Sequence, residues 1–163
     1  MIWIVLISTI VFLFYLLILR GMKGPAKTIE TIDRAINDLL MRGYDGGFLM
    51  IDIAHTSYFL QLQKYINSPG DYGIKFCFPN ADWSRVFFQK MIDYTRKNEV
   101  EYSIMEKSET GSLEFFCVDF HKNTHEAHNF VKNILLNVFK VNEKVKLFVR
   151  LENATTEDKL IDR

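Results

Sequence analysis

The sequence predicts an α+β protein: an N-terminal transmembrane helix, then an antiparallel sheet with helices on one face, in the order α-β-β-β-α-β-β-α-β. Three observations carry this reading. Residues Met1 to Leu19 contain no charged side chain. The hydrophobic pattern of the remaining chain switches repeatedly between helical and strand periods. The strands come in runs separated by helices, the α+β arrangement, rather than alternating singly with them.

The first nineteen residues would form a helix roughly 28 Å long, close to the thickness of a bilayer hydrocarbon core. No basic n-region precedes the apolar run, and no Ala-x-Ala site follows it, so the segment reads as a retained anchor rather than a cleaved signal. Arg20, Lys23 and Lys27 flank its C-terminal side, with no acidic residue before Glu30. That flank predicts a single-pass membrane protein with its soluble domain on the cytoplasmic side. The expected organisation is an anchor over 1–19, a basic juxtamembrane hinge over 20–26, an α+β domain over 27–151 and a polar tail over 152–163.

Within the domain, Ile29, Ile32, Ile36, Leu39 and Leu40 recur at helical spacing, which predicts a helix over roughly 26–42 ending at Gly43. Gly47 to Ala54 reads as a strand, followed by a turn at His55 to Ser57. Tyr58 to Ile66 is a second strand, with Leu60 and Leu62 opposite Gln61 and Gln63. The turn Ser68-Pro69-Gly70-Asp71 leads to a third over Tyr72 to Phe78, completing an antiparallel meander. Asp82 is the expected cap of a second helix with the apolar stripe Trp83, Val86, Phe87, Met91 and Tyr94. Val100 to Lys107 and Leu113 to Phe120 are two more strands. Thr124 is the expected cap of a third helix that buries Ala127, Val131, Ile134, Leu135 and Val138. Lys144 to Leu151 closes the chain as a last strand.

The whole chain balances 20 basic against 20 acidic residues, but residues 28–163 carry about −3. Nucleic acid is therefore excluded as the expected partner, because phosphate binding needs a basic face. Cys77 and Cys117 each lie in an apolar strand-like run and read as buried thiols; two cysteines alone do not establish a disulfide.

The histidines His121, His125 and His128 are the candidate metal ligands, with Glu126 or Asp119 nearby. Their spacing is not His-Glu-x-x-His, so a solvated helix N-terminus is the preferred reading. Cys117, Asp119 and His121 share one strand face, but neighbouring same-face positions are nearly 7 Å apart, too far for a direct Cys–His bond. Asp52 and His55 have no visible third partner. Asn153-Ala-Thr155 fits the glycosylation pattern and is incidental in the expected topology. No catalytic or cofactor-binding residue is expected. The aromatic surplus, represented by Phe59, Tyr65 and Phe115, is the candidate partner surface.

With the element order in place, the soluble part resembles the type III secretion chaperone-like (TY-Chap) superfamily. The similarity rests on Tyr58-Phe59-Leu60-Gln61-Leu62, on Tyr72-Gly73-Ile74-Lys75-Phe76 and on the helix from Ala127 to Val141. The resemblance implies an α-β-β-β-α-β-β-α domain that binds proteins without catalysing a reaction. This chain departs from the group in its expected anchor and in its last strand, and no functional residue is carried over. The sequence therefore predicts a membrane-anchored, chaperone-like or accessory module that binds a protein partner or a second copy of itself. The competing expectations are a membrane-tethered enzyme or metal-binding domain built on His121, His125 and His128, and an immunity-type subunit.

Overall fold

The computed structural model describes residues 26–107 and 113–155. They form one six-stranded sheet with three α-helices packed on a single face. The strands are β1 (Gly43–Ile53), β2 (Phe59–Ser68), β3 (Asp71–Pro79), β4 (Ser103–Lys107), β5 (Leu113–Asp119) and β6 (Leu147–Ala154). Their order across the sheet is β4-β5-β3-β2-β1-β6, with every neighbouring pair antiparallel. The helices are α1 (Asp33–Arg42), α2 (Arg85–Lys97) and α3 (Thr124–Asn133), which runs on into a π-turn over Ile134–Val138.

Strand alternation builds the core. Leu49, Ile51 and Ile53 of β1, Leu60 and Leu62 of β2, Ile74, Phe76 and Phe78 of β3, and Phe116 and Val118 of β5 all face the helices and are buried. Ile36 and Leu39 of α1 and Val131, Ile134 and Leu135 of α3 close over them. Period-2 burial on the strands and period-3.6 burial on the helices give a two-layer solution in which no described helix covers the other sheet face (the uncovered face).

The expectation of a transmembrane helix is corrected. No helix among the described residues is long and apolar enough to cross a membrane. The longest, α2, has 13 residues, a rise of roughly 20 Å, and exposes charge along one side. Residues 1–19, Arg20 and Lys23, on which the anchor and its flank were placed, lie outside the described residues. Lys27, expected in that flank, exchanges main-chain hydrogen bonds with Leu147 at the start of β6.

That exchange also shortens the first helix, because backbone groups committed to a strand partner cannot serve a helical ladder. A 3-10 turn over Ile29–Thr31 follows, and α1 begins only at Asp33. Gly43 does stand just past its end, but in an extended conformation (φ −62°, ψ 140°). Glycine is required there by close approach, since a Cβ would lie 2.5 Å from the Leu39 carbonyl oxygen.

Two caps differ from expectation. Asp82 points into solvent and pairs with Arg85, while Ser84 ties the turn before α2 by donating to the Pro79 carbonyl and accepting from the Ala81 N–H. With its start shifted, α2 buries Phe88, Met91 and Thr95 and leaves Val86 and Trp83 exposed. Asn123, not Thr124, caps α3: its side-chain oxygen accepts from the Glu126 N–H, satisfying one of the helix's free donors, and its amide donates to the Glu126 carboxylate. The last strand runs to Ala154 and adds to the sheet beside β1.

Candidate functional site

Antiparallel register lays the uncovered face out in rows. One row runs Glu152, Phe48, Gln63, Lys75, Asp119 from β6 to β5. The next holds Arg150, Met50 and Gln61 and, toward the β4 edge, Cys77, Cys117 and Ser103. Beyond it lie Phe148, Asp52 and Phe59, and then Pro79, Phe115 and Met105. Apolar groups, Phe48, Met50, Phe59, Cys77 and Phe115 among them, are thus interspersed with polar and charged ones, including Gln61, Gln63 and Lys75 on the central strands β2 and β3. Asp52 pairs with Arg150 at 3.4 Å rather than with His55, which sits in the following turn with φ +63°.

A concavity of about 470 Å³ opens in this face, lined by Gln61, Gln63, Lys75, Cys77, Met105, Glu106, Phe115 and Cys117. Its mixture of thiol, thioether and aromatic carbon with amide and charged groups suits a contact surface. Met105 and Ile104 on the edge strand β4 are 45% and 42% exposed, so the apolar area continues from the concavity over the sheet edge.

Phe59, Tyr65 and Phe115 all lie on the uncovered face. Phe59 packs against the Trp83 ring (centroids 5.0 Å apart), and Phe115 lines the concavity. Tyr65 has a more specific role. It crosses Gly73, its neighbour on β3, and donates to both Asp119 carboxylate oxygens, each 3.0 Å away. His121 Nδ1 stands 3.1 Å from the same hydroxyl, and the His121 N–H donates to Asp119. Burial, then the hydrogen bond to Asp119 and the charges of Asp119 and Asp71, push the Tyr65 phenol up to about 12. Deprotonation would place a phenolate against a carboxylate, so the phenol acts as a fixed donor.

The three histidines go to three different partners. His121 joins Tyr65 and Asp119. His125 Nε2 meets Asn129 within α3. His128 is buried, with Nε2 2.8 Å from the Ile29 carbonyl oxygen, which fastens α3 to the N-terminal segment. Among the described residues no group of three His, Cys, Asp or Glu side chains is placed to hold a metal ion.

Two features were invisible in the sequence. Lys64 is buried on the helix-covered face and donates to the Leu40 carbonyl at 2.6 Å, satisfying an end carbonyl of α1; burial lowers its pKa. Cys77 and Cys117 stand directly opposite each other on β3 and β5, with their sulfurs 3.6 Å apart. Same-face placement in each strand was readable, but the register that joins them was not.

No protein-family model, no curated protein and no solved structure matches this chain.

Proposed function

We propose that this chain is a protein-binding module that engages a partner protein through the uncovered face of its sheet and the adjoining edge strand β4. The observation that carries the reading is the continuous apolar strip formed by Pro79, Phe115 and Met105, the last two lining the concavity, on a face that no described helix covers. A patch that mixes aromatic and thioether carbon with amide and charged groups suits a non-obligate protein contact surface. An edge strand also offers unpaired main-chain groups to an incoming strand. The resemblance in element order to type III secretion chaperone-like domains agrees with binding rather than catalysis.

Site-specific photocrosslinking tests this. A benzophenone-bearing phenylalanine analogue placed at Phe115 or Phe59 should yield discrete protein adducts, and an adduct of twice the chain's mass would identify a second copy as the partner. The same analogue at exposed Asn137, on the helix side, should give none. An absence of adducts at Phe59 and Phe115, or the same adducts from all three positions, would refute the proposal.

A further inference from the structure

The two thiols on the uncovered face occupy a special position in the sheet. Asn80 N–H donates to the Glu114 carbonyl, and Phe120 N–H donates to the Ile74 carbonyl. Counting inward from these bonded pairs in steps of two makes Phe78–Phe116 and Phe76–Val118 hydrogen-bonded pairs. Cys77–Cys117 is then a non-hydrogen-bonded pair, the kind whose Cα atoms approach to about 4.5 Å and whose side chains lie closest. That spacing falls inside the range a disulfide spans, about 4.4–6.8 Å between Cα atoms. The sulfurs are already 3.6 Å apart at the floor of the concavity of about 470 Å³.

The thiols are not equivalent. Their mutual hydrogen bond, and then burial, raise Cys77 above its ordinary value. The same bond lowers Cys117, assisted by the Lys75 charge against the effect of burial. Lys75 lies two residues from Cys77 on the same strand face and lines the same concavity.

We propose that Cys77 and Cys117 form a redox-active dithiol site that exchanges with small disulfides entering the concavity, closing to a cross-strand disulfide. This stands independently of the partner-binding reading. The Cys117 thiolate attacks one sulfur of a low-molecular-weight disulfide RSSR; the S–S bond breaks and RS⁻ leaves to take a proton. Cys77 then gives up its proton to solvent, and its thiolate attacks the Cys117 sulfur. The second RS⁻ is expelled and protonated. Two electrons and two protons have passed to the disulfide, leaving two RSH and a Cys77–Cys117 bond that staples β3 to β5.

The test uses the full-length chain, folded and undenatured, equilibrated with graded ratios of oxidised to reduced glutathione. Samples are acid-quenched, unfolded, alkylated and weighed intact. The expected result is a single transition from two alkylated thiols to none, reversed by dithiothreitol, with Cys77 and Cys117 joined in one proteolytic peptide. Cys77→Ser should stop at a stable glutathione adduct on Cys117. Cys117→Ser should likewise stop at a glutathione adduct, on Cys77, with no disulfide within the chain. The wild-type measurement needs no variant to fold. Two thiols that stay alkylatable at the most oxidising ratio, a persistent mixed adduct on the wild type, or disulfides only between chains would each overturn the site.

Discussion

Phe115 and Phe116 are neighbours in sequence with opposite duties, and their separation gives the sharpest test of the fold. Phe116 is fully buried, with ring centroids of Phe76, Phe88 and Tyr102 at 6.3, 6.4 and 5.3 Å. Its truncation removes a whole aromatic side chain from a packed interior, so Phe116→Ala should cost about 3–5 kcal/mol. Phe115 is half-buried on the uncovered face, and Phe115→Ala should cost only about 1 kcal/mol, roughly half of what full burial contributes. Equilibrium urea unfolding followed by far-UV circular dichroism reads both. With a slope near ~1.5 kcal/mol/M, the midpoint should fall by about 2–3 M for Phe116→Ala and by less than about 1 M for Phe115→Ala. For a domain of about 130 residues the first corresponds to a drop in Tm of about 11–18 °C. If Phe116→Ala proves too unstable to purify, Phe116→Leu, at up to about 1.5 kcal/mol, gives the same ordering against Phe115→Leu. Equal losses at the two positions, or a larger loss at 115, would refute the assignment of faces and the partner surface built on it.

Three further outcomes follow from the Tyr65 cluster. The difference in alkaline phenolate absorbance between wild type and Tyr65→Phe should titrate near 12, and Asp119→Asn should move it back toward the ordinary value of 10. Because the folded value is raised, the stability Tyr65 contributes is complete below pH 10 and is lost as pH rises from 10 through about 12; wild-type Tm should fall more steeply across that window than that of Tyr65→Phe. Gly73→Ala places a Cβ 2.6 Å from the Tyr65 hydroxyl and 2.7 Å from the His121 Cα. It should lower stability by about 1–3 kcal/mol, as overpacking does, and abolish the raised Tyr65 titration; an unchanged titration would show that the hydroxyl does not lie across Gly73.

The candidate surface was partly legible. Phe59, Tyr65 and Phe115 could be singled out as aromatic surplus, and strand alternation separates Phe115 from Phe116. Alternation is local, since successive side chains point to opposite faces whatever the strand pairs with. The Tyr65–Asp119–His121 cluster was not legible, because Tyr65 and Asp119 lie on strands 54 residues apart and meet only across β3. The reading of Cys117, Asp119 and His121 as one same-face set was limited for the same reason. The partner of Cys117 is Cys77, 40 residues earlier, and the partner of Asp119 is Tyr65. The first helix start was misplaced because a long-range bond intervened, Lys27 being held by Leu147; at the second, a local bond from Ser84 to the Pro79 carbonyl, five residues back, ties the turn instead.

The sequence by itself determined the α+β class, the β1-β2-β3 meander and most of the buried set, including Leu60, Leu62, Ile74, Phe76, Val131 and Ile134. These depend on hydrophobic period and turn residues within a few positions of one another. Tertiary structure alone decided that β5 pairs with β3 and β6 with β1, that Lys64 caps α1 from inside the core, and that the two thiols face each other. Register between strands distant in the chain is set by which faces can be buried together and by the hydrogen-bond ladder that forms as they meet. Neither is encoded in any single segment.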